Sequence, residues 1–211
     1  RIMRRIIYTI IIAISFLTTS CTKNNYIDTG ICNGRYDGNF MEYMEAHPYD
    51  WSLTLELIRF AGEDMVRLFE GNDPDHPEIT FFGLTNHSIR RYLLQNDIKQ
   101  VTDLDADWCR SLLLRHIVDG KYFRNDFPAG KPSDYGTVGT GGITLTTLAG
   151  TQIWAFVVVQ EKQGIVENAS KPVSINFLNG RGVFGIGSAD IEPNNGVVHA
   201  IGYAFTLGDE E

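Results

Sequence analysis

Residues Ser188 to Leu207, SADIEPNNGVVHAIGYAFTL, decide the fold. They read as strand, turn, strand. Asp190 and Ile191 close the first strand. Glu192-Pro193-Asn194-Asn195-Gly196 makes the turn, because proline presets φ and Asn-Gly tolerates a positive φ. Val197, Val198, His199, Ala200 and Ile201 follow as a near-continuous apolar strand, with Tyr203, Phe205 and Leu207 beyond it. A second stretch, Ile79 to Leu93, is ITFFGLTNHSIRRYL. It predicts a buried strand running into Thr85 or Asn86, either of which can cap a helix carrying Ile89, Leu93 and Leu94. Between these lies LLLRHIVDGKYF, Leu112 to Phe123, a helix that ends on His116 and Ile117 and is followed by Gly120.

The three segments, in this order, resemble the signature segments of the fasciclin (FAS1) family. There the first reads like TVFAPTNEAF and the last like ADIEATNGVIHVID. The resemblance covers about Phe40 to Leu207. It implies a single α+β domain, helices packed on an antiparallel β-wedge or sandwich. It also implies structural work for Thr85, Asn86, His116, Asp190, Ile191, Asn195, Gly196 and His199. In the family the histidine matching His116 bonds to the Thr-Asn pair, here Thr85 and Asn86. Arg115 stands where the family has Tyr or Asn. The alternative for His116 is a general base, but its apolar neighbours Leu114 and Ile117 favour a core histidine.

Composition sets the class. The 211 residues are 43% hydrophobic and 21% charged, which is globular and not disordered. A formal charge of −8 argues against nucleic acid, since phosphate binding needs a basic patch. The basic cluster is confined to the N-terminus: Arg1, Arg4 and Arg5 precede the apolar run Ile6 to Leu17. That run is too short for a span, which needs about 20 apolar residues, so residues 1–20 read as a signal peptide. Leu17-Thr18-Thr19-Ser20-Cys21 resembles a bacterial lipobox, although Leu17 lies four positions before Cys21 where the pattern has three. The resemblance implies diacylation of Cys21, and Thr22 in place of Asp implies the outer membrane, with the protein facing the periplasm or the outside. The other reading is a plain secretory signal with a free Cys21. Residues 21–39, polar and rich in Asn and Gly, form a tether, and residues 40–211 the domain. Export permits a Cys32–Cys109 disulfide; we read Cys109 instead as a small buried hydrophobe.

Along the domain, Asp50 is placed to cap a helix carrying Leu53, Leu57, Ile58 and Ala61, which Gly62 ends. Val66 to Phe69 reads either as another helical turn or as a short strand, and the strand, pairing with Ile79 to Leu84, is preferred. Asn72 to Glu78 gathers carboxylates and His76, but its two prolines make it a solvated turn in preference to a metal site. Asp103, Asp105 and Asp107 mimic a calcium loop, yet Trp108 and Leu114 occupy the positions that need Gly and Glu. They suit the start of a helix. Lys121 to Gly142 is a long loop. Ile143 to Leu148 and Gln152 to Gln160 form a hairpin, enlarged before Val173 to Leu178 and Val183 to Ile186. Gly180, Gly182 and Gly185 spell GxGxxG without the following helix a dinucleotide site needs. Asn86-His87-Ser88 and Asn168-Ala169-Ser170 are glycosylation sequons in form only.

No nucleophile elbow, His-Glu-x-x-His or Cys-x-x-Cys is present. The fasciclin resemblance therefore implies an adhesion module contacting an envelope or extracellular-matrix protein, without enzyme activity, cofactor or metal. A glycan-binding accessory of a polysaccharide-uptake system is the alternative, using Tyr122, Phe123, Phe127 and Tyr135 around the long loop. Contact is expected there or at the Glu192–Gly196 turn, and a hydrolase is a distant third reading.

Overall fold

In the computed structural model, residues 34–134, 137–158, 161–162, 165–166 and 172–211 are described, and Gly34–Glu211 forms one compact unit. The signal peptide, Cys21, Cys32, Tyr135 and the Asn168 sequon lie outside the described residues.

The helical layer comes first. Helix α1, Phe40–Ala46, opens on a capping box: Asn39 Oδ1 accepts the Glu42 N–H at 3.0 Å, and Glu42 Oε2 accepts the Asn39 N–H at 2.8 Å. Helix α2, Pro48–Ala61, starts with proline at its first position, where the missing N–H costs nothing. Asp50 is thus not its cap but lies in its first turn. Trp51, Leu55 and Ile58 are buried at helical spacing. Gly62 breaks the chain at φ +123°, and α3, Glu63–Glu70, follows at once. The strand expected at Val66 to Phe69 is therefore helix. Met65, Leu68 and Phe69 bury one helical face, Glu63 and Asp64 suit its N-terminus, and Gly71 caps it in the left-handed region at φ +77°.

Strand β1, Ile79–Gly83, is buried at every position. Helix α4, Asn86–Gln95, follows it, then α5, Ala106–Arg115, where Asp105 Oδ1 accepts the Trp108 N–H at 2.8 Å. Strands β2 (Ile117–Asp119), β3 (Ala129–Lys131), β4 (Thr140–Gly141), β5 (Ile143–Thr146) and β6 (Gln152–Val158) come next. The β7–β8 hairpin (Glu161–Lys162, Ile165–Val166), β9 (Val173–Phe177), β10 (Val183–Ile191) and β11 (Gly196–Ile201) complete the order. Gly180 and Gly182 fall in the turn before β10, and Gly185 within it.

The main sheet runs β2-β1-β11-β10-β9-β6-β3-β4, with β5 also on β6. It is mixed: most pairs are antiparallel, but β1 runs parallel to β11 and β3 parallel to β6. The helices pack on this curled sheet, forming a single α+β domain. Phe40, Phe69 and Phe81 stack edge to face between the layers, at 5.7 and 5.0 Å. Cys109 is fully buried there, and burial pushes its thiol up to about 11, the behaviour of an inert core thiol. Among the described residues, no helix is long and apolar enough to cross a membrane.

Candidate functional site

The residues singled out in the sequence separate into three groups. The first holds the β10–β11 turn. Asn195 Oδ1 accepts the Phe40 N–H at 3.1 Å and its amide donates to Phe69 O at 3.0 Å, tying the turn to α1 and α3. Gly196 does not adopt a positive φ; it is needed for space, because a Cβ would stand 2.0 Å from Ile79 O and 2.6 Å from the Phe40 ring. The left-handed residue is Asp190, at φ +60°. Its Oδ1 accepts the Arg124 N–H at 2.7 Å, and its own N–H donates to His199 Nδ1 at 3.4 Å. His199 Nε2 donates to Tyr122 O at 2.8 Å, because a carbonyl can only accept. Both ring nitrogens are thus used by the neutral imidazole, and burial holds its pKa below the ordinary value. Gly34 and Tyr36 exchange backbone hydrogen bonds with Glu192, and Asn194 donates to Gly38 O. Residues 34–39, assigned by sequence to the tether, therefore cover this turn.

The second group is His116. It does not reach Thr85 or Asn86. It caps the end of α5, and its Nδ1 donates to Phe82 O at 2.9 Å. Its Nε2 faces Glu210 Oε2 at 4.0 Å, an ion-pair distance and too long for a hydrogen bond; both side chains are fully buried. Burial raises the Glu210 carboxyl, but His116 and the Glu210 and Gly208 N–H groups more than offset it, and the net direction is below the usual carboxylate range. A general base needs access to substrate, which this position lacks.

The third group forms a cleft. Asn86 stands behind it and binds the start of α2: its Oδ1 accepts the Leu53 N–H at 2.7 Å, and its amide donates to Pro48 O, Tyr49 O and Ser52 Oγ at 3.0, 2.9 and 2.9 Å. The His47–Pro48 corner between α1 and α2 gathers aromatic rings. Tyr43 lies 4.4 Å from His47 and 6.1 Å from Trp51. Gly83 leaves room for the indole, since a Cβ there would meet Trp51 at 2.6 Å. On the opposite wall β10 slips register against β11 between Ile186 and Ile191, and Gly187, Ser188 and Ile191 line a cavity of about 210 Å³. Thr85, Tyr43, Asp50, Trp51 and Tyr203 line it from the other side. Asp50 and Tyr203 also border an adjoining groove of about 450 Å³ that runs past Tyr49 to His87 and Arg90.

Two features set this cleft apart. Tyr203 is 68% exposed yet firmly held: Arg91 donates to Tyr203 O, to Ala204 O and to Thr206 Oγ1, and His87 packs edge-on against the ring at 4.9 Å. Tyr49 beside it is 89% exposed. Thr85, only 8% exposed, is the N-cap position of α4, but its hydroxyl caps nothing and has no hydrogen-bond partner. Sequence reading missed Tyr43, Trp51 and Tyr203 as cleft-lining residues and took Asp50 for a cap. The one local signal was Pro48-Tyr49-Asp50-Trp51, aromatics and an acid at a helix start.

The loop aromatics are placed differently. Phe127 is 4% exposed and packs against His199, so it offers no face to a sugar; Tyr122 is half-buried. In the Asn72 to Glu78 turn, Asp73 Oδ1 accepts the N–H groups of Asp75 and His76, while His76 Nδ1 meets Asp119 at 2.8 Å. Among the described residues no three His, Cys, Asp or Glu side chains are grouped to hold a metal ion.

No family model matches the sequence. No curated protein matches it either. Its fold does match a solved structure, the FAS1 domain pair from the insect cell adhesion molecule fasciclin I, with a TM-score of 0.54 and 21% identity. The match covers 82% of this chain and 51% of that one, so the chain spans about half of the domain pair.

Proposed function

We propose that this chain is an envelope-anchored adhesion or interaction module that grips a protein partner with the cleft between α2, α4 and the end of β11. The observation that carries the reading is Tyr203: an exposed aromatic ring whose backbone is fixed by Arg91 and whose edge is braced by His87. A ring already held in place loses little freedom on binding, which is why such residues dominate interfaces. The likeness to a cell adhesion molecule's domains supports the same class of function. The motif histidines are used by the fold, and we assign the domain to binding, not turnover. Diacylation at Cys21 would hold it to a membrane, by our reading the outer membrane, as the basic residues, the short apolar run and Ser20-Cys21 suggest.

The test is a pull-down from envelope extract with the wild type and with Tyr49→Ala/Tyr203→Ala. A discrete protein captured by the wild type and lost by the double variant, at equal melting temperature, is the expected result. Equal capture by both would overturn the cleft assignment. Cys21→Ala should release the protein from membranes; unchanged fractionation, with no acyl chain on the wild type, would overturn the anchor.

A further inference from the structure

The cleft has a chemistry beyond being aromatic. Its inner cavity, about 210 Å³, is below the 300 Å³ or so at which whole small-molecule sites begin, and suits one long side chain. Among its lining are the rings of Tyr43 and Tyr203, with Trp51, 2% exposed, behind them. Their faces carry negative quadrupole charge and attract cations. The lone ionised group on this lining is Asp50, an exposed carboxylate in the first turn of α2. Deeper in, the Thr85 hydroxyl is unpartnered and its oxygen is closed to solvent, a donor and acceptor that a ligand meets only when the side chain turns toward the cavity. Aromatic faces, one carboxylate and one orphan acceptor are the complement of an ammonium or guanidinium on an apolar stem.

We propose that the cavity lined by Tyr43, Trp51, Thr85, Asp50 and Tyr203 receives a lysine or arginine side chain presented by the partner protein. This inference rests on the protein-docking reading above and gives the partner a chemistry. The stem lies between the rings, the charged head meets Asp50, and Thr85 turns to offer its hydroxyl oxygen to one N–H. The chain's net charge of −8 favours approach of such a partner surface. Burial raises the Tyr43 hydroxyl pKa and the Asp50 charge adds to it, while a hydrogen bond from Trp51 opposes. Arg90 and Arg91 do not compete for the pocket: Arg90 borders the outer groove and does not line the cavity, and Arg91 is committed to Tyr203 O, Ala204 O, Thr206 Oγ1 and His87.

The probes are blocked tripeptides, acetyl-Gly-X-Gly-amide with X as Lys, Arg, norleucine or Glu, titrated into the full chain in detergent micelles. Trp51 indole and Ile201 methyl NMR signals report on the cavity. Lys and Arg peptides should shift them, with norleucine weaker by about tenfold, the combined effect of a cation–π contact and one partly exposed ion pair. Asp50→Asn should remove most of that difference without moving the melting temperature. Thr85→Val should weaken Lys binding several-fold and leave the norleucine peptide unchanged. Equal binding of Lys and norleucine, preference for Glu, no shift with any peptide, or indifference to Asp50→Asn would each overturn the pocket. The two readings fail separately. If Tyr49→Ala/Tyr203→Ala loses the partner while no peptide shifts the signals, the cation pocket falls and the docking surface stands. If Lys binding depends on Asp50 but the double variant keeps its partner, the docking surface is elsewhere and the pocket stands.

Discussion

The β10–β11 turn and the α2–α4 cleft both draw on strands β10 and β11 and use their polar groups in opposite ways. At the turn, Asn195, Asp190 and His199 each spend their side chains on backbone groups of distant segments. At the cleft, the Thr85 hydroxyl is unpaired, and Tyr49 and Tyr203 stand exposed over a cavity. Polar groups already satisfied hold a fold; a buried polar group left unsatisfied, as Thr85 Oγ1 is, costs stability unless something else pairs with it. The signature residues are thus divided between the two regions: Asn195, Asp190 and His199 hold the turn, while Thr85 is left unpaired at the cleft.

That contrast makes graded predictions. The largest effect is expected at Gly196. An alanine there would drive a Cβ into Ile79 O and Phe40, prising β11 from β1, and should cost about 3 kcal/mol or more in chemical denaturation. A wild-type unfolding midpoint would show that the strands can part cheaply. Asn86→Ala comes next. It strands the Leu53 N–H and frees two α2 carbonyls, so we expect a loss of about 2–3 kcal/mol, together with a loosened cleft seen as faster amide exchange at Leu53. His199 gives a smaller, pH-dependent effect. Its folded pKa lies below the unfolded 6.5, so its stabilising contribution is complete above 6.5 and is lost as pH falls through the folded value. Melting temperature should therefore fall on acidification, with a shallower fall in His199→Gln; parallel curves would mean His199 is not held neutral. Tyr203→Ala should change stability least, within about 0.5 kcal/mol, while abolishing partner capture. A large loss of stability there would mean that Tyr203 belongs with the turn residues.

How much could be read beforehand follows from the range of each interaction. The β10–β11 turn announced itself because proline, asparagine and glycine act within a few residues. Helix α3 was misread because Val66 to Phe69 is apolar enough for a strand, and its helical face shows only when Met65 and the Gly62 break are weighed with it. The parallel pairing of β1 with β11 left no local trace, since it joins residues more than a hundred positions apart. The cleft was hidden for the same reason. Tyr43, Trp51, Thr85 and Tyr203 come from three separate stretches, and Tyr203 looked like a strand continuation although β11 ends at Ile201. His116 was correctly placed in the core, but its partner, Glu210, lay in a tail that carried no signal.

The clasp of residues 34–38 on the β10–β11 turn has a mechanical consequence. Tension entering the domain at Gly34 falls first on the backbone bonds joining Gly34 and Tyr36 to Glu192 and Asn194 to Gly38. It reaches α1 and its buried Phe40 only after these open. Gly34 is fitted to this role, because a Cβ would lie 1.9 Å from Asp190 O. Because the Tyr36 ring packs edge-on against Tyr43 at 5.4 Å, a clasp that peels under load also takes a support from one wall of the cleft.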